Sequence, residues 1–300
     1  MTYVPLGRLF PAGGPADPDV MIGRESDVDE IAAMLREGIH VLLAGARRIG
    51  KTTVCRATCE RLRADEGFRV VRVEVPERTS SADLCQLIVD RCASLGLERV
   101  GGRLLRAATP LIEELLRQRG LPLDLSELGP DPAPATRRRV LELPAALAER
   151  VGRVVFFLDE LQRVAEYEDG DELLHDLTDL YAGQAHATVL VDGSGARTFE
   201  ALLRTPGGIG KLVHRKDLAP TIAVRTWRAG LAERFQQAGH PIDADALERL
   251  VAFGEGRPYP TMAAARHAAF AARATSGATD MFCVEDGIAA AEKQLDDDVH

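Results

Sequence analysis

The octapeptide Gly45–Thr52, GARRIGKT, places the tightest constraint on how this chain can fold. It follows the apolar run His40–Ala44 (HVLLA) and precedes Thr53–Arg63, which reads as a helix. A buried strand must therefore pass into a helix through a loop framed by glycines. The spacing is G-x-x-x-x-G-K-[ST], and each part has a mechanical reason. Gly45 and Gly50 permit backbone angles and close approaches that a side chain would block. Across Ala46, Arg47, Arg48 and Ile49 the backbone N–H groups can turn inward as an anion-binding nest, backed by the helix N-terminus. Lys51 would set a compact positive charge on the β- and γ-phosphates of a nucleotide. Thr52 would offer its hydroxyl to Mg²⁺, and Thr53 could bond the α-phosphate.

Lysine usage agrees with that reading. Lys51, Lys211, Lys216 and Lys293 are the lysines of the chain, against a large excess of arginine. A point-charge head suits a phosphate at Lys51. A near-copy at Gly207–Lys211 (GGIGK) is followed by Leu212, has no preceding strand, and reads as a flexible loop.

The second chemical signal is Val154–Glu160, VVFFLDE. A continuous apolar run suits a strand buried on both faces of a parallel sheet, and its carboxyl end is where open α/β sheets bind ligands. Asp159 would hold Mg²⁺ through a water, opposite Thr52, and Glu160 would orient or activate the attacking water. The carboxylate pair favours hydrolysis over phosphoryl transfer to a small acceptor. The strand Ala187–Val191 runs into Asp192-Gly193-Ser194-Gly195-Ala196-Arg197. Ser194 could bond the water or a phosphate oxygen, and Arg197 could neutralise developing charge. A Gly/Ser turn capping the next helix, with Arg197 solvated, explains the same residues equally well. Asp192 receives no role.

Around these motifs strands alternate with helices as far as about residue 226, and only helices follow. Phe68–Val75 alternates like a strand, and Leu218–Val224 is a weaker strand candidate. Helical patterns cover Ser26–Arg36 (with Ser26 as N-cap), Ala82–Leu95, Leu104–Arg117, Arg138–Arg150 and Asp171–Tyr181. Beyond these come Trp227–Ala238, Asp243–Phe253, Tyr259–Ala274 and Val284–Leu295. The expected fold is α/β: a three-layer P-loop NTPase core with a parallel sheet, then a small helical lid domain. Residues 1–20 form an irregular arm, 21–226 the nucleotide domain with a helical insertion at about 96–150, and 227–300 the lid. Arg137-Arg138-Arg139 in that insertion is open to a partner or nucleic-acid backbone, or is a solvated helix start.

Composition narrows the function classes. No apolar run approaches the roughly 20 residues that cross a bilayer, and no membrane partner is expected. The five cysteines are scattered and unlike a disulfide framework, and Cys55 and Cys59 read as buried apolar groups. A cytoplasmic protein is expected. The net charge of −9 argues against broad non-specific binding to nucleic acid, while leaving room for a local basic patch.

Taken in order, Ile22-Gly23-Arg24-Glu25, LLAGARRIGKTT, FFLDELQ, GSGAR and Gly256-Arg257-Pro258-Tyr259 resemble the archaeal-type ATPases. These belong to the signal-transduction (STAND) group of P-loop ATPases and neighbour the origin-recognition branch of the AAA+ ATPases. The motifs span about residues 20–270. The resemblance implies that Ile22, Gly23 and Arg24 line the adenine and ribose side, and that Pro258 touches the nucleotide from the lid. It also implies ATP and ADP as ligands with Mg²⁺, and an ATP-driven switch or machine. The preference for adenine rests on the resemblance and on the lack of an N-K-x-D motif. Alternatives are a nucleotide-binding signalling scaffold with little turnover and an ATP-dependent DNA-binding or remodelling protein. A homo-oligomer or a protein partner fits either. Such proteins usually carry a further domain after the lid, whereas this sequence stops at His300.

Overall fold

Five strands pair into one parallel sheet in the computed structural model, which describes residues 4–64, 67–77, 80–97, 132–184, 186–193, 196–205, 208–275 and 277–297. They are β1 (Val41–Ala44), β2 (Phe68–Glu74), β3 (Arg153–Asp159), β4 (Ala187–Asp192) and β5 (His214–Asp217). The order across the sheet is β2-β3-β4-β1-β5, and every pairing is parallel. The central strands are buried along nearly their whole length, which is why their sequences are continuous apolar runs. Leu43 lies opposite Asp192, Leu158 opposite Val191, and Glu74 opposite Asp159. The carboxyl ends of β1, β4 and β3 therefore line one edge, with β4 in the middle.

The chain divides into two compact units. One comprises residues 29–44 and 58–217 and contains the sheet. Helices Ser81–Leu97, Pro134–Val151 and Gly170–Tyr181 pack with Val71, Val73, Phe156, Leu158 and Val189 in its main core. On the other sheet face Val155, Phe157 and Leu190 are buried as well. His40, just before β1, is buried and tied into the sheet. Its Nδ1 accepts from the Val189 N–H at 2.9 Å, and its Nε2 sits 3.0 Å from the Tyr181 carbonyl. Those partners dictate a neutral ring protonated on Nε2. Burial lowers the His40 pKa, partly offset by the Tyr181 carbonyl.

The other unit comprises residues 1–28, 45–57 and 218–300. Its core gathers Leu6, Leu9, Phe10 and Ile22 with Trp227, Phe235 and the apolar faces of four helices. These are Val224–Gln237, Ala244–Gly254, Pro258–Thr275 and Met281–Asp297. The alanine-rich face of Pro258–Thr275 allows close approach: a Cβ at Gly287 would lie 2.7 Å from the Ala264 carbonyl oxygen. Residues 4–20 contain a short helix, Leu6–Leu9, and the Arg266 guanidinium bonds the Ala12 carbonyl at 2.6 Å.

Several sequence expectations need correction. Leu218–Val224 is not a strand. The fifth strand is His214–Asp217 (HRKD), a mostly exposed edge whose charges suit an unpaired sheet margin. Ser26 does not cap its helix, which begins at Glu25. The GGIGK segment is not a free loop, since Ile209–Lys211 forms a 3-10 turn with Ile209 buried. Arg137 is neither solvated nor offered to a partner. It is 5% exposed and bonds Asp169 at 2.7 Å and Asp176 at 3.3 Å, while Arg138 bonds Asp176 at 2.8 Å. The helix expected at Leu104–Arg117 lies outside the described residues. All five cysteines are buried, and none forms a disulfide.

Candidate nucleotide-binding site

The loop Gly45–Gly50 leaves β1 directly and enters the helix Lys51–Ala64. Gly45, Arg48 and Gly50 have φ of +148°, +64° and +97°. Such angles turn successive N–H groups to one side, which a run of ordinary extended residues cannot do. A Cβ at Gly45 would fall 2.5 Å from Ile49 Cδ1, so this position requires glycine on space as well as on angle. The loop is thus a cradle closed by its own glycine and backed by a helix N-terminus, the arrangement that receives phosphate. Lys51 is buried, and its Nζ donates to the Ala46 carbonyl at 2.8 Å, which holds the ammonium against the loop. Thr52 is half-buried at the start of the helix. Thr53 Oγ1 accepts from the Ala16 N–H at 3.0 Å, a tie to the N-terminal segment that the sequence did not signal.

Ile22, Gly23 and Arg24 belong to the same unit as this loop, and so does Pro258. Arg24 is buried, and one guanidinium nitrogen donates to the Ile49 carbonyl at 3.3 Å and the Ala219 carbonyl at 2.6 Å. Asp27 lies 3.6 Å from its other terminal nitrogen. Burial lowers the Arg24 pKa, offset by Asp27. Arg24 therefore pins the loop backbone through Ile49. Ile22 packs in the helical core, where a Cβ on Gly230 would meet it at 2.7 Å. Pro258 opens the helix Pro258–Thr275, and its neighbour Tyr259 lies under the Arg48 guanidinium, 4.3 Å from ring centroid to Cζ. Nothing in the local sequence marked Arg48 and Tyr259 as a pair, because they stand far apart in the chain.

In the other unit, Asp159 ends β3 at the carboxyl edge of the sheet. It is 2% exposed. Arg72 on β2 donates to Oδ2 at 2.7 Å, and Oδ1 is buried with no hydrogen-bond partner among the described residues. Desolvation raises the Asp159 pKa, and the Arg72 hydrogen bond and charge pull it back. An unpaired buried carboxylate oxygen costs free energy unless a cation or water meets it, so the donor set fits Mg²⁺. Glu160 follows in the left-handed region, φ +60° and ψ +42°, and its carboxylate accepts from the Gln162 side-chain amide. A residue with a Cβ pays for that backbone, and such outliers cluster at working sites. Arg72 is the residue that sequence reasoning missed. The signal was an arginine inside an alternating strand, FRVVRVE, that otherwise reads as sheet packing. Ser194 lies outside the described residues. Arg197 stands in the first turn of the helix Ala196–Arg204, and its side chain lies outside them too.

The profile of the AAA domain family matches residues 36–198, which include the loop, the acid pair and β4. No curated protein matches the chain. Solved structures do. A Walker-type ATPase of Pyrococcus abyssi superposes with a TM-score of 0.63 at 15% identity, covering 96% of this chain and 76% of that one. The ORC2 protein of Aeropyrum pernix in its ADPNP–ADP complexes gives 0.66 at 16% identity, covering 95% and 71%. The ORC1 protein of the same organism, in complex with DNA, gives 0.60 at 19% identity, covering 95% and 68%. At these identities the likeness carries the fold, and the fold is a parallel five-stranded P-loop sheet with flanking helices and a helical C-terminal region. With the family match spanning more than half its length, the chain belongs to the AAA family of P-loop ATPases.

Proposed function

We propose that the chain is an Mg²⁺-dependent ATPase, converting ATP and water to ADP and phosphate, and that it works as a molecular switch or machine of the STAND type. The observation that carries the reading is the acid pair. Asp159 presents one buried oxygen with no partner among the described residues, and Glu160 beside it is held in a costly left-handed backbone. A structural strand terminus needs neither feature.

In this reading the phosphates lie on Gly45–Thr53. Lys51 exchanges the Ala46 carbonyl for a β- or γ-phosphate oxygen. Thr52 and Asp159 would each offer an oxygen to Mg²⁺, which when bound would neutralise phosphate charge. Glu160 orients the attacking water and takes its proton. Ser194 and Arg197 stabilise charge that develops on the transferred group. Ile22 and Gly23 flank the adenine and ribose side. Arg24 serves that side through its bond to the Ile49 carbonyl. Pro258 reports nucleotide state to residues 227–300, which act as the lid on an ATPase domain at 21–226, with residues 1–20 as an arm. A cytoplasmic setting belongs to the same proposal; no described helix is long and apolar enough to cross a membrane.

A second reading, an ATP-dependent DNA-associated protein, draws on the likeness to a structure determined in complex with DNA. The net charge of −9 weighs against it. Nucleotide binding tests the first reading. Lys51→Ala should weaken Mg·ATP at least about tenfold, since it removes a charged phosphate contact. Unchanged affinity in that variant refutes the assignment of the loop. Salt-dependent DNA binding with DNA-stimulated hydrolysis would favour the second reading.

A further inference from the structure

We propose that Arg72 determines which divalent cation the site accepts, favouring Mg²⁺ over Ca²⁺. The inference rests on the reading of Asp159 as a metal ligand. In the β2–β3 pairing Arg72 lies opposite Phe157, and Glu74 opposite Asp159. Alternate residues share a sheet face, so these four side chains project to the same side. Arg72 reaches diagonally along that face. Its guanidinium lies 5.6 Å from the Phe157 ring centroid, and Nη2 donates to Asp159 Oδ2 at 2.7 Å. The Asp159 side chain is 3% exposed, against 29% for Arg72, so the carboxylate has little room to turn away.

The consequence is an asymmetric carboxylate. One oxygen is taken by a charge-assisted bond, and the other has no partner among the described residues. The two common divalent cations use carboxylates differently. Ca²⁺ gathers about six to eight oxygens in flexible geometry and readily takes both oxygens of one carboxylate. Mg²⁺ demands a near-octahedral shell, keeps several waters, and needs only one carboxylate oxygen or a water bound to it. A guanidinium seated on Oδ2 removes the bidentate option. Ca²⁺ loses a ligand, and Mg²⁺ loses nothing. A rival role for Arg72, simple neutralisation of a buried charge, would alter affinity for both cations alike. The ratio of the two affinities separates the roles.

The experiment measures binding of ADP to the full chain by calorimetry, titrating Mg²⁺ or Ca²⁺, and reads the ratio of the half-saturating concentrations. Wild type is expected to prefer Mg²⁺. Arg72→Met should shift the ratio toward Ca²⁺ by about tenfold, the usual scale for residues that orient a metal ligand. Arg72→Lys, which can still place an ammonium on Oδ2, should retain most of the wild-type ratio. Arg72→Gln, neutral and shorter, should shift it as Met does, and serves if the Met variant fails to fold by circular dichroism. An unchanged ratio in the neutral variants, or a wild type that accepts both cations equally, overturns the proposal. Asp159→Asn separates this failure from failure of the underlying reading. If that variant responds to both cations like wild type, Asp159 is not the ligand and both fall. If it loses the response while Arg72→Met keeps the ratio, only the role of Arg72 falls.

Discussion

Replacing Glu160 by glycine separates the backbone of this position from its carboxylate. The left-handed conformation, φ +60° and ψ +42°, costs a residue with a Cβ about 1–2 kcal/mol. Glycine escapes that cost, but its freer unfolded chain returns about 0.5–1 kcal/mol. The lost contact with Gln162 is half-exposed and contributes a few tenths, roughly, at most. Glu160→Gly should therefore stabilise the protein by about 0.2–0.7 kcal/mol, or ~1–2 °C in melting temperature for a chain of this size. Glu160→Gln keeps the Cβ and the strain, and should melt with the wild type. Urea denaturation of the three proteins, followed by circular dichroism, compares their midpoints directly. If Glu160→Gly is less stable than wild type, the backbone is not strained and the argument from strain to function fails. If it is more stable yet no longer hydrolyses ATP, strain has been retained at this position for the sake of its side chain.

Two further perturbations test the sheet and its supports. His40 must stay neutral to accept from the Val189 N–H, and its folded pKa lies below the unfolded value of about 6.5. Its contribution is complete above about pH 6.5 and is lost as pH falls through the depressed folded value, so denaturation midpoints should drop toward pH 5. A His40→Gln variant should show a flatter profile, and an unaltered slope removes His40 as the cause. Arg137→Met leaves Asp169 and Asp176 without their buried partner and should cost about 3 kcal/mol, whereas Arg138→Ala at the exposed side should cost under about 1 kcal/mol. Equal losses measured by urea denaturation would contradict that ranking.

What the sequence disclosed was local. The phosphate loop, the strand before it and the Asp-Glu terminus of β3 are contiguous patterns, and each is read from a dozen residues or fewer. The features that escaped are those whose partners are distant. Asp159 meets Arg72, 87 residues earlier, and Arg137 meets Asp176, 39 residues later. No local pattern distinguishes such an arginine from a solvated one. Strand β5 escaped for another reason: HRKD has no apolar residue, because an edge strand takes its register from hydrogen bonds to β1 and turns charge to solvent. The same logic hid Tyr259, whose place against Arg48 depends on the helical unit. Leu104–Arg117 and Ser194 fall outside the described residues.

The most direct test of the account is steady-state ATP hydrolysis with Mg²⁺, wild type beside Glu160→Gln, each with and without duplex DNA. Turnover in the wild type should fall at least about a hundredfold in the variant, the scale of a lost general base, while ATP binding is kept. Equal rates in the two proteins, or a wild type that binds ATP and never releases phosphate, would contradict it.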